Sequence, residues 1–382
     1  MTSRPEGAAT RSTRRTYIDW ARGVAVLVMI QAHVLDAWTL RSERTSVPFG
    51  YLNILGGSAA PLFLWLAGLS LVLAAEKGES RTGDRRGAGL ALMRRGLEIF
   101  ALAFIFRGQS FIVSPGNPLV SLLRVDILNI MGPSMMVAAL LWWLGGGPRV
   151  AVMLCGTVAT ALALAAPIVR TAPWLGLLPP AVQWYISPSG NHSTFTLFPW
   201  SGFVFAGAAY GVLLARSGTG AEGRTLWRLA AVGGLVAAGS YYASTLPTIY
   251  AASSFWTTSP TYFGLRVGLL MVFLAAMFLA TPLATLMPGV FNVLARFGRH
   301  SLFVYWVHVE LVYGYATARI HHRLPLWLSA IVYVAFVAFM FWTISLQDRV
   351  LAWWRERRTA GPAAETAGAR PRNSLRYLFV RR

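Results

Sequence analysis

The sequence predicts an all-α, polytopic transmembrane helical bundle of about ten spans, and three observations carry that prediction. Hydrophobic residues make up 55% of the 382 and charged residues only 13%, roughly half the charge of an ordinary soluble chain. Mean hydropathy is +0.53. Apolar runs of about 20 residues, the length needed to cross hydrocarbon, recur along the chain between short arginine-rich segments.

The first span, 17–40, organises the rest because it carries Asp19, Arg22, His33 and Asp36. At about 100° per residue these four fall within roughly 100° of arc, so one polar stripe runs down the helix. An ionisable group at membrane depth costs roughly 3 kcal/mol on insertion scales, and such groups face a protein interior or a wet cavity. Arg22 and His33 stand about 16 Å apart along the axis. Asp36, one turn beyond His33, is placed to orient the ring of a general base. Asp19 and Arg22 at i,i+3 suit a salt bridge as well as a ligand site.

The remaining spans are 51–75, 96–114, 125–144, 150–169, 197–215, 229–246, 261–286, 301–320 and 326–346. In the second, Pro61 and Gly68 indicate a kink or a close helix contact. The third is interrupted by Arg107, and its Glu98 pairs structurally with Arg94 and Arg95. On the fourth, Asp126 and Asn129 share one side beside Arg124 and can hold a polar acceptor, although a helix N-terminus favours aspartate by itself. Cys155, the single cysteine, excludes an internal disulfide and a thiolate cluster, and its apolar setting predicts packing. The loop 170–196, with Trp174, Trp184 and Tyr185, reads as a lid at the membrane interface.

The sixth span is lined with Ser201, Gly202, Ala206, Gly207, Ala208 and Gly211, small residues that let helices touch. The seventh is rich in glycine and serine. Arg266 on the eighth is expected to snorkel to the interface. The ninth brings His308 to mid-depth with Tyr305 one turn earlier, as a second base or a substrate contact; Glu310 points to another face. His192, His300, His321 and His322 sit at boundaries or in loops. No spacing suggests metal ligands, and no metal site is predicted.

Arginines, with the lone lysine Lys77, fall on alternate loops in a ratio of roughly three to one, which sets both termini in the cytoplasm and requires an even number of spans. The net charge of +20 is therefore a matter of membrane orientation. No folded basic domain is left over to bind nucleic acid. Residues 1–15 read as a basic cytoplasmic arm, 16–347 as one transmembrane domain, and 348–382 as a disordered basic tail attracted to anionic lipid. No cleavable signal precedes the first span. The preference for arginine over lysine points to a GC-rich bacterial genome, and so to multi-pass insertion in a cytoplasmic (inner) membrane.

The segments IDWARGVAVLVMIQAH, PLFLWLAGLSLVLA, RVDILNIMG and FPWSGFVFAGAAYG resemble the catalytic-domain family of heparan-alpha-glucosaminide N-acetyltransferase. The Asp-x-x-Arg-Gly opening and the Pro-Trp-x-Gly-x-x-x-x-Gly segment are its more specific signatures, and the resemblance runs from about Arg15 to about Tyr313. The first span is also similar to that of the acyltransferase-3 family, in which an Arg and a His separated by ten residues are functional; Arg22 and His33 keep that interval. The resemblance implies a membrane acyltransferase that moves an acyl group, most simply acetyl, from cytoplasmic acyl-CoA to a sugar or glycan hydroxyl or amine outside.

A thioester is already activated, so such an enzyme needs a base, a donor to the developing oxyanion and a water-poor channel. On this reading His33 is the base, Asp36 its orienter, and Arg22 binds the donor or polarises the thioester. Asp126, Asn129 and His308 meet the acceptor, and Arg94, Arg95, Arg296 and Arg299 meet the phosphates of CoA. The alternative is a proton-coupled secondary transporter of a sugar or lipid precursor, with His33 and Asp36 in a relay. A non-enzymatic envelope subunit has no positive sign. Oligomeric state is open, a homodimer included.

Overall fold

The computed structural model describes residues 14–113, 118–218 and 220–359. The basic arm before residue 14 and the tail beyond 359 lie outside the described residues. The chain begins with α1 (Thr16–Trp38), α2 (Val47–Gly56), α3 (Ala59–Thr82), α4 (Arg85–Val113) and α5 (Ile127–Leu144). It continues with α6 (Pro148–Val169), α7 (Pro180–Ile186), α8 (Leu197–Ala215), α9 (Glu222–Ser244) and α10 (Pro260–Leu279). The last four are α11 (Thr281–Leu286), α12 (Pro288–Arg299), α13 (Ser301–Tyr313) and α14 (Leu326–Thr359). Among the described residues the only β pairing is two isolated bridges, Thr39 with Leu324 and Val125 with Ser193.

Eight of these segments are long and apolar enough to cross a membrane, with α2 and α3 counted together. The other two of the ten expected spans correspond to α9 and to α13, a shorter apolar helix. Both ends of the membrane region meet at one side of the bundle. Gly298, at the end of α12, lies against Asp19 at the start of α1, and Arg296 pairs with Asp348 near the end of α14 at 3.0 Å. At the opposite side Thr39 donates to Ser329, near the start of α14, at 3.1 Å. The first side is the basic end and the second the far end. Helix α14 runs on to Thr359, so the expected domain boundary at 347 falls inside a helix.

Lipid offers no hydrophobic drive between helices, so packing rests on close contact and internal hydrogen bonds. Where α3 crosses α8, a Cβ on Gly68 would fall 1.9 Å from the carbonyl oxygen of Val204, and one on Gly207 1.9 Å from that of Trp65. The small residues of the sixth span thus put two backbones in contact, as their spacing predicts. The same device lays α12 across α1: a Cβ on Gly23 would meet the Leu294 oxygen at 2.1 Å.

The structure corrects two expectations at membrane depth. The second span is broken between α2 and α3, and the break is capped by side chains. Arg266, instead of snorkelling, is buried; it donates to the Ile54 carbonyl at 3.2 Å, with its guanidinium over the Tyr262 ring. Gln31 donates to the Leu52 carbonyl at 3.2 Å. A carbonyl in the last turn of a helix has no helical partner, and water cannot supply one here.

Candidate active site

A cavity of about 2350 Å³ runs through the bundle. Its wall includes Arg94, Arg95 and Arg299 at the basic end, then Arg22 and His33, then Asp36, Arg124 and Asp126 at the far end. Three of the four groups of the α1 stripe, Arg22, His33 and Asp36, therefore line a cavity, and Asp19 is buried beside it, as the cost of such charges in lipid requires.

Along that stripe Asp19 is buried and holds two arginines, Arg14 at 2.6 Å and Arg22 at 3.2 Å. The Arg22 guanidinium also donates to Ser70 on α3, and that hydroxyl passes its own proton to the Leu66 carbonyl at 2.6 Å. Ser70 was not singled out from sequence; it lies on the cavity wall with Ala67 and Ala74 of the same helix.

His33 meets a residue 275 positions away. Its Nδ1 lies 2.8 Å from Nε2 of His308, with the rings nearly parallel at 9° and their centroids 5.0 Å apart. His308 is fully buried, and its Nδ1 lies 2.7 Å from the Val304 carbonyl oxygen. It is absent from the cavity wall, so it does not offer itself to an acceptor as expected. No hydrogen bond to Nε2 of His33 exists among the described residues, and His33 itself lies on the wall.

Asp36 does not orient His33 by a direct bond. Its carboxylate accepts from the Tyr313 hydroxyl at 2.9 Å and pairs with Arg44 at 3.4 Å. The Tyr313 ring stands edge-on to His33, with centroids 5.5 Å apart. The i,i+3 spacing is real, but tyrosine and arginine from other segments compete for the carboxylate.

Asp126 and Asn129 form a capping box at the start of α5: Asp126 accepts from the Ile127 amide at 2.7 Å, and Asn129 accepts from the Asp126 amide at 2.9 Å. The second oxygen of Asp126 takes Arg107 at 2.5 Å and Tyr305 at 3.0 Å. Asn129 is buried, absent from the cavity wall, and its amide donates toward the Tyr185 hydroxyl on α7 at 3.4 Å. The pair expected to bind an acceptor is thus occupied in capping α5, with Asp126 also holding Arg107. Arg107 and Arg124 also line the wall, each with a buried Nε that has no hydrogen-bond partner among the described residues, although Arg107 is held by Asp126 and Arg124 donates to Thr194 at 3.5 Å. Burial, with Arg107 beside it, pulls the Arg124 guanidinium below its ordinary pKa, so an anion arriving there would be favoured.

At the basic end Arg94 and Arg95 share Glu98 at 3.7 and 3.0 Å. Lys77 and Arg299 also line the cavity, and neither has an ion-pair partner among the described residues. Arg296, expected beside them, is not on the wall; it bonds Ser345 and Asp348 and covers the Phe341 ring. No group of three or more histidine, cysteine or acidic residues able to hold a metal occurs among the described residues. Cys155 is buried in α6.

Sequence reasoning missed Lys77, Ser70 and Tyr313, and it misjudged Arg107 and Arg124. Tyr313 has no local signal, because its partners, Asp36 and His33, are both on α1. The arginines carry one, a charge inside or beside an apolar run: Arg107 interrupts the third span and Arg124 stands beside Asp126 at the start of the fourth.

Residues 14–246, more than half of the chain, match the profile of a family described as heparan-alpha-glucosaminide N-acetyltransferase, catalytic. No curated protein matches the chain. The matched segment ends before α10, so it contributes Arg22, His33 and Asp126 but not His308.

Proposed function

The chain belongs to the heparan-alpha-glucosaminide N-acetyltransferase catalytic family, and from that premise we propose that it passes an acetyl group from acetyl-CoA at the basic end to a sugar amine or hydroxyl at the far end. One observation carries this reading: Arg22 and His33, on one helix, face a single cavity whose wall reaches both ends of the bundle. Positive charge marks the basic end as the cytoplasmic side, which is where acyl-CoA is made. The unit that does this is the membrane bundle itself.

The phosphates of CoA meet Arg94, Arg95, Arg299 and Lys77, which line the basic end and supply charge-assisted hydrogen bonds. Arg22 stands about 16 Å along the helix from His33, too far to polarise a carbonyl placed beside that ring. It therefore holds the donor's arm, with Asp19 and Ser70 fixing its guanidinium.

Nε2 of His33 takes the proton from the acceptor nitrogen or oxygen as that atom attacks the thioester carbon. The new C–N or C–O bond forms, the C–S bond breaks, and the thiolate of CoA recovers the proton from His33. Arg124 engages the acceptor at the far end, beside the Arg107–Asp126 pair. The side chains of Asp36 and Tyr313 buttress the His33 ring. A proton-coupled transporter would use the same cavity without releasing CoA.

The test is protein in lipid nanodiscs with labelled acetyl-CoA and amino-sugar or hydroxyl-bearing oligosaccharides. Release of CoA thiol and an acetylated glycan are expected from the native chain, and His33→Ala should lower transfer by about 10³-fold or more while leaving expression and thermal unfolding unchanged. Full activity in His33→Ala, or sugar movement without CoA release, would overturn the reading.

A further inference from the structure

We propose that His308 is a positioning residue that sets the tautomer of His33, so that Nε2 of His33 faces the cavity without a proton. The proposal rests on the reading of His33 as the base. Its geometry comes from α13, beyond the segment that matches the family.

A backbone carbonyl can only accept. Nδ1 of His308, 2.7 Å from the Val304 oxygen, therefore carries a hydrogen. In a neutral imidazole the other nitrogen is then an acceptor. Nε2 of His308 faces Nδ1 of His33 at 2.8 Å, so the hydrogen between the rings belongs to His33. One nitrogen of a neutral His33 is thereby assigned as a donor, and Nε2 is left with its lone pair.

The opposite assignment would place hydrogens on both nitrogens of His308. That ring would be an imidazolium, fully buried, with no carboxylate in contact. The acidic groups nearest the pair are already engaged, Asp126 by Arg107 and Tyr305, and Asp36 by Arg44 and Tyr313. A charge buried without a partner is the costlier state.

The arrangement suits a base. When Nε2 of His33 receives the acceptor's proton, its Nδ1–H still donates to His308, so no second proton has to move. The nearly parallel rings and the Tyr313 edge hold the lone pair toward the cavity. Without His308 a neutral histidine prefers its hydrogen on Nε2, and the group facing the acceptor would become a donor.

Histidine-selective ¹⁵N spectra of the full chain in nanodiscs, without substrate, read the tautomer directly. The native chain should show His33 protonated at Nδ1. His308→Phe, and His308→Asn as a smaller variant whose amide is too short to reach, should both shift it to Nε2. Their kcat should fall about 100-fold or more, with KM for acetyl-CoA changed by no more than about twofold. His308→Gln, whose Oε1 can accept the same hydrogen bond, should keep the native tautomer and recover kcat to within about tenfold.

A native spectrum showing the hydrogen on Nε2 would overturn the proposal, as would an unchanged kcat in either unpaired variant. Because the spectra need no turnover, the two readings fail separately. An active His33→Ala with the expected spectra removes the base and leaves the pairing. An inactive His33→Ala with a fully active His308→Phe removes only the role of His308.

Discussion

At the far end of the cavity Arg107 is locked to Asp126 at 2.5 Å and is nearly buried, whereas at the basic end Lys77 and Arg299 line the wall with no ion-pair partner among the described residues. Arg94, also at the basic end, keeps a side chain 65% exposed and a 3.7 Å contact with Glu98. The same kind of charge is used in two ways. A cation sealed beside a carboxylate holds shape, because removing either partner leaves a buried charge uncompensated. A cation left in water holds little shape but is free to take a polyanion, at an energy that salt screens.

The largest effect should come from breaking the far end. Asp126→Ala removes the cap of α5 and strips Arg107 of its partner, and it should cost about 3–5 kcal/mol; thermal unfolding in detergent measures it. A variant as stable as the native chain would erase the contrast between the ends. Next, joint replacement of Arg94, Arg95 and Arg299 by alanine should raise KM for acetyl-CoA about tenfold, more at low salt than at high, with unfolding unchanged. An unaltered KM would return those arginines to a purely orienting role.

Smaller still, Tyr313→Phe deletes the hydrogen bond to Asp36 and should cost about 1 kcal/mol, seen as a modest fall in unfolding temperature and a few-fold loss of kcat. Last, Lys77→Gln should raise KM for acetyl-CoA only about twofold, because an exposed ammonium is a weak, screened contact. Titrating salt in the same assay sharpens the point: KM should follow ionic strength in the native chain and much less in the triple variant.

The helices were legible because lipid imposes a length and forbids most charges, so hydropathy alone marks nearly every span. The polar stripe of α1 was legible for the same reason: Asp19, Arg22, His33 and Asp36 had to face something other than lipid. What the periodicity of one helix cannot give is its partner on another. His33 meets His308 across 275 residues, and Asp36 is claimed by Tyr313 and Arg44 rather than by the neighbour one turn away. For Asp126 the local reading was the right one, since a helix N-terminus satisfies its own amides before it serves a ligand. Arg266 failed for a related reason: the break between α2 and α3 leaves a carbonyl in need of a donor, and that need appears only once the break is seen.

A cavity whose wall reaches both ends of a membrane bundle is also a route that ions could take, and an enzyme of this shape has to remain tight. The guanidinium groups near either mouth answer that demand. Arg299 at one end and Arg124 at the other line the wall with no ion-pair partner among the described residues, and such fixed positive charge would repel protons and metal cations as arginines do in selective pores. On the proposed reading, an acyl group carried on a polyanion would be drawn in by the field that turns cations back, and its transfer would leave the gradient across the membrane undischarged.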